Sequence, residues 1–167
     1  MDAVERLFAI EEVKKVKATY WYAIDTKNWE LLATVFGKDS IVDFRAERDP
    51  KPGQKIDKPV PVEQALAAGD LAVAKGRENI VAFIREAATP LRTVHHGHAP
   101  IIDVTGPDEA MGVWPMFDYI DNGRTAMKGY GHYHETYRKE DGSWVIHTLV
   151  LTRLRLDGEH PATFASS

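Results

Sequence analysis

The first part of the chain repeats apolar residues with a helical period. Leu7, Ile10, Val13, Val16, Tyr20 and Ile24 recur at steps of three or four, with Glu11, Glu12, Lys14 and Lys15 between them. That spacing predicts an amphipathic helix over 3–27. "TKNWELLATVFG" predicts a short second helix ending near Gly37. "SIVDFR" reads as a strand. Pro50, Pro52, Gly53, Pro59 and Pro61 then interrupt any regular element. Within 47–76, "VEQALAAGDLAVAKG" predicts one weak helix. Such an insertion often covers a site, and we expect 47–76 to form a mobile flap over a pocket mouth. "RENIVAFIREAAT" predicts a third helix, stopped by Pro90.

The pattern changes after Pro90. Residues 92–98, 109–120, 124–138 and 143–155 are rich in Val, Ile, Thr, Tyr and Trp. "TGPDE", "DNG" and "KEDGS" separate the last three from each other and from what precedes them, and the last two are hairpin signals. Helices come first and an antiparallel meander follows. That order implies α+β, with helices packed on one face of a curved sheet.

Composition narrows the function classes. At 167 residues the chain has the size of one domain, expected to span 1–167. Its net charge of −4 shows no basic stripe, which argues against nucleic acid as a partner. No run of about 18 apolar residues is present, so no membrane span is expected. Met1-Asp2 leads directly into the helical pattern, without a signal-peptide layout. With no cysteine, disulfides, thiolate chemistry and sulfur-bound zinc are excluded, and a cytoplasmic location is expected.

The candidate chemistry centres on "LRTVHHGHAP", residues 91–100. A strand would put Thr93 and His95 on one face and Val94, His96 and His98 on the other. His95 is a candidate base, because histidine takes and returns a proton near neutral pH. Asp25 ends the first helix, where the dipole disfavours a carboxylate. It is either a turn residue capping the second helix or a partner for a histidine. Tyr20 lies on the apolar stripe, as core tyrosine or as a phenol that polarises a substrate oxygen. Asp118 shares a face with Trp114 and Met116, and is a pocket carboxylate if that face is internal. Gly129, Gly131 and Tyr133 share a face where small residues let a strand bend. His96 with His98, and Tyr130 with His132 and His134, offer a metal reading. His147 reads as a half-buried sheet residue.

"YWYAIDTKNWELLATVF", "IVDFR", "LRTVHH" and "MKGYGHYHETYRKEDGSWVI" together resemble the nuclear transport factor 2-like superfamily in its SnoaL-like branch. Scytalone dehydratase and bile-acid 7α-dehydratase are the most similar group. The resemblance covers roughly residues 8–155. It implies a cone-shaped α+β barrel around a deep apolar pocket, with catalysis by His95, Asp25 and Tyr20 and no metal or cofactor. Phe44, Trp114, Asp118, Tyr133 and Trp29 are the expected substrate-binding residues. Phe44 and Ile24 stand where those dehydratases place tyrosines, so their substrate is not carried over.

The reading is an acid/base lyase of the dehydratase type, acting on a hydrophobic aromatic, polyketide-like or steroid-like alcohol. The same residues would serve retro-aldol C–C cleavage, double-bond isomerisation or polyketide cyclisation. A non-catalytic ligand carrier or oxygenase accessory subunit is the other class this cone serves. The resemblance also implies a homo-oligomer, dimer or trimer. Val113, Tyr119, Val145 and Leu151 are the residues expected on the outer sheet face.

Overall fold

The computed structural model describes residues 1–45, 61–159 and 161. Helix α1 runs from Ala3 to Asp25. Asp2 starts it, accepting from the backbone N–H groups of Val4 and Glu5, while Glu5 reaches back to the Asp2 N–H. This reciprocal capping box satisfies donors that a helix start leaves open. Ala9, Val13, Tyr20, Ala23 and Ile24 form its buried stripe. Helix α2, Trp29–Thr34, follows after a three-residue turn, with the Asn28 side chain capping it through Leu31 N–H.

Strand β1 spans Phe36–Asp43. The segment expected as one weak helix divides instead into α3, Val62–Ala67, and a short strand β2, Val73–Lys75. Gly69 has φ of 70°, which ends α3 and turns the chain so that β2 pairs with β1. The part of the expected flap at 47–60 lies outside the described residues. Helix α4, Arg77–Ala88, buries Ile80, Ile84 and Ala88.

The remaining strands are β3 Arg92–Gly97, β4 Ile101–Val104, β5 Glu109–Asp121, β6 Ala126–Glu140 and β7 Ser143–Gly158. Among the described residues they form one open sheet in the order β2-β1-β7-β6-β5-β3, with β4 beside β5. All neighbours are antiparallel except β1 and β7, which run parallel. The helices cover the inner face, which gives the α+β cone that the element order implies.

Inner and outer faces alternate along β5 and β6: Trp114, Met116 and Asp118 point in, as do Gly129, Gly131, Tyr133, Glu135 and Tyr137. On β7 the register against β6 shifts near His147 and again near Leu154. The extra residue at His147 changes the parity, so Ile146 and then Leu149, Leu151 and Arg153 are inward. Simple alternation therefore misplaces Leu151, which is buried rather than on the outer face. Val145 is buried as well. Val113 and Tyr119 are half-exposed on the outer side.

Candidate active site

Three elements meet at Asp25, the last residue of α1. Strand β3 turns Thr93 and His95 inward beside it, and the facing β5 residue across from His95 is Asp118. His95 Nδ1 lies 2.7 Å from Asp25 Oδ1. The His95 backbone N–H donates to Oδ2 at 2.8 Å, and the Thr93 hydroxyl donates to Oδ1 at 2.8 Å. An ionised carboxylate only accepts, so Nδ1 carries the proton and Nε2 is the nitrogen left to accept one.

These bonds answer the problem of a carboxylate at a helix C-terminus. Burial pushes the Asp25 carboxyl up, but the hydrogen bonds and charge of His95, with Thr93, more than reverse it. The group sits below its ordinary range and stays ionised at neutral pH. The His95 side chain is only 8% exposed and that of Asp25 25%, so their contact is largely shielded from water.

His95 opens onto a cavity of about 340 Å³. Phe44, Phe83, Ile84, Leu91, Ile120 and Leu151 supply much of its apolar wall, with the rings of Phe44 and Phe83 stacked at 5.8 Å. Leu71 and Ala72, between α3 and β2, also line it. Its polar groups are Tyr20, Thr93, His95, Asp118, Tyr133 and Arg153. An apolar pocket with a few convergent polar groups is the usual form of a small-molecule site.

Arg153 is the residue that sequence reasoning missed. It is 1% exposed and forks onto Asp118, with Nη1–Oδ1 at 3.0 Å and Nη2–Oδ2 at 2.8 Å. A buried charge needs such a partner, and the bidentate geometry supplies it. "TRLRL" alone reads as a strand with arginines at its surface. The signal that points inward is Asp118 itself, a carboxylate on the face of Trp114 and Met116 that requires a cation.

The structure gathers Tyr20, Asp25, His95, Phe44, Asp118 and Tyr133 around the cavity or its dyad. It does not bring Trp114 or Trp29 to the lining. Trp114 lies in a different layer of the inner face, where its Nε1 donates to the Tyr137 hydroxyl at 2.9 Å. Trp29 packs half-buried against the core from α2. Tyr137 in turn donates to Glu135, which also takes the ammonium of fully buried Lys17. Burial pulls Lys17 down to about 8, against the attraction of Glu135. Its Nζ lies 4.1 Å from the Tyr20 ring centre and 3.4 Å from that of Tyr133. Two cavity rings thus rest on a buried cation.

Of the other histidines, His96 and His98 lie on the exposed side. Gly97 separates them beneath Trp21, whose ring would stand 1.8 Å from any Cβ there. His132 and His134 also face outward, with ring centres 6.2 Å apart, and His134 Nε2 meets Thr152 Oγ1 at 3.1 Å. Among the described residues no group of three or more His, Asp or Glu side chains converges as metal ligands do.

Residues 5–150 match the family described as SnoaL-like domain. The chain belongs to this SnoaL-like family. Its fold is the nuclear transport factor 2-like cone, and several solved structures share it. One, named "Putative Scytalone Dehydratase", from Novosphingobium aromaticivorans, is 21% identical with a TM-score of 0.74, covering 96% of this chain and 94% of that one. A hexachlorocyclohexane dehydrochlorinase, LinA Type2, is 14% identical with a TM-score of 0.74, covering 98% and 97%. Among curated proteins, the probable cyclase FGR4 of Gibberella zeae is 21% identical, covering 85% of this chain and 89% of its own. Likenesses of this degree place the SnoaL-like fold, and the site has to speak for the chemistry. No helix among the described residues is long and apolar enough to cross a membrane.

Proposed function

We propose that the protein is an acid/base lyase of the dehydratase type, acting on a neutral, hydrophobic aromatic or polycyclic alcohol. One observation carries this reading: the Nδ1 of His95 is held at 2.7 Å by Asp25 while the ring lines a largely apolar cavity. A histidine so held has one free nitrogen, a fixed orientation and a carboxylate to compensate its positive charge.

In the proposed reaction His95 Nε2 takes a proton from a carbon beside the carbinol carbon. The C–H electron pair forms the double bond and the C–O bond breaks. The imidazolium then gives the same proton to the departing oxygen, which leaves as water. The base ends as it began, so the proton balance closes on the residue itself. In this reading Tyr20, which lines the cavity, stabilises negative charge developing on a substrate oxygen. The Arg153–Asp118 pair presents a fixed dipole without net charge, which suits a neutral substrate better than a carboxylate.

The proton transfer that begins this elimination also begins a ring closure, in which the carbanion attacks a carbonyl within the same molecule. The cyclase name of the Gibberella zeae relative favours keeping that second reading.

A screen of phenolic and steroidal alcohols for new ultraviolet absorbance tests the proposal. Elimination creates a conjugated double bond, so wild-type protein should generate absorbance and His95→Gln should do so at least about 10²-fold more slowly. Equal rates in the two proteins, or no product from any alcohol, would overturn it.

A further inference from the structure

The turn between α1 and α2 places an unusual residue in a demanding backbone position. The Lys27 N–H returns to Ile24 O at 3.2 Å and the Asn28 N–H to Ala23 O at 2.9 Å. These are the paired bonds of a Schellman helix end, whose left-handed position most often belongs to glycine. Here it belongs to Lys27, with φ of 59°. Nothing in the turn requires a long side chain, so the reason for a lysine lies in what that side chain reaches.

That side chain folds back onto the dyad. Lys27 Nζ donates to Thr93 Oγ1 at 3.0 Å. An ammonium has donors and no acceptor, so the Thr93 oxygen must accept here. Its single hydrogen is then free to go only to Asp25 Oδ1, 2.8 Å away. The half-buried Lys27 cation thus stands one hydroxyl from the carboxylate that holds His95. Burial lowers its hold on its proton, and attraction to Asp25 opposes that loss. The attraction is mutual.

Among the described residues, the other groups facing the dyad leave this charge uncompensated. Tyr20 comes from α1, and Thr93 and His95 from β3. Asp118 of β5 lies across from His95, but Arg153 of β7 neutralises it. Arg92 lies on the opposite face of β3, bonded to Asp121.

We propose that Lys27 is a positioning residue of the Asp25–His95 pair, which aims the Thr93 hydroxyl at Asp25 and offsets part of the Asp25 charge. The cation thereby helps to set the charge that Asp25 presents to His95 Nδ1. The purpose of this arrangement rests on the acid/base reading above; its existence does not.

The test is a ¹³C NMR titration of the Asp25 carboxyl in ligand-free protein, with Asp25→Asn to assign the signal. In Lys27→Met the midpoint should rise by about half a pH unit or more, because the loss of a neighbouring cation disfavours the ionised acid. Lys27→Gln can still donate to Thr93 but carries no charge. It should move the midpoint in the same direction, and it carries the test if Lys27→Met melts early or fails to fold. Lys27→Arg should stay within about 0.2 pH units of wild type, because the cation is kept. Wild-type midpoints in Lys27→Met and Lys27→Gln would overturn the proposal. So would a shift in Lys27→Arg as large as that in Lys27→Met, which would assign the effect to packing. No substrate enters the titration. Its failure leaves the lyase reading standing, and a failed alcohol screen leaves the titration untouched.

Discussion

At the scale of single residues, the site turns on one nitrogen. Asp25 commits His95 Nδ1, so replacement of either partner removes the same function. His95→Gln should lower turnover by about 10²-fold or more, roughly 3 kcal/mol of barrier. Asp25→Asn should lose activity too, and the double variant should be little worse than His95→Gln alone. His96→Gln and His98→Gln should stay within about threefold, since both face outward. Steady-state rates on any alcohol that passes the screen check all five. The pH dependence of stability gives a second expectation. The folded value of Asp25 lies below the unfolded value of about 3.9. Its stabilisation is therefore complete above the unfolded value and disappears as pH falls through the folded one. Urea unfolding followed downward from about pH 5 should show a shallower loss in Asp25→Asn than in wild type, although the variant starts less stable. This much of the site was legible from residue order: a period of two separates His95 from His96 and His98, and the residue before the turn is acidic. Arg153 was not legible, because it meets Asp118 across 35 positions of sequence and two strand boundaries.

At the scale of elements, β6 is the strand that lets the ion pair into the wall. Gly129 faces Asp118 in the ladder, and a Cβ on it would stand 2.2 Å from Asp118 Oδ1 and 2.3 Å from Arg153 Nη1. Gly129→Ala should therefore cost about 1–3 kcal/mol, the usual range for overpacking. It should also part the two side chains, which would reduce ligand affinity beyond the stability loss. Chemical unfolding together with ligand-induced quenching of tryptophan fluorescence would show both effects; a wild-type melt would mean that the pair has room to move. The helices and hairpins of this chain declare themselves locally, through a 3.6-residue period and turn residues such as Asn122-Gly123 and Asp141-Gly142. Three features do not. Strand β4 is only four residues long. The parallel pairing of β1 with β7 joins distant segments. The irregularity at His147 changes which residues of β7 face in. Each depends on a partner strand rather than on its own composition.

At the scale of the whole molecule, two fully buried ion pairs among the described residues lie within one cone and do different work. Asp118–Arg153 lines the cavity, whereas Lys17–Glu135 joins α1 to β6 behind the lining residues Tyr20 and Tyr133. Breaking either by a single substitution should be expensive, because an uncompensated charge remains inside; the usual cost is about 3–5 kcal/mol. Removing both charges of a pair should recover most of that cost. For the α1 pair the variants are Lys17→Met and Lys17→Met/Glu135→Gln. The amide of the double variant still accepts from Tyr137, whose hydroxyl would otherwise lose its acceptor. For the cavity pair they are Arg153→Met and Arg153→Met/Asp118→Asn. In urea unfolding at neutral pH, each double variant should be more stable than its parent single variant by about 2 kcal/mol or more. Activity should divide them. The Lys17→Met/Glu135→Gln protein should keep turnover within about tenfold, since Tyr20 and Tyr133 lose only a supporting cation. The Arg153→Met/Asp118→Asn protein should lose about 10²-fold, because the fixed dipole beside His95 is gone even though the fold is repaired. If the two double variants lose activity equally, the cavity pair is scaffolding, and the polar chemistry of the site contracts to Tyr20, Asp25 and His95.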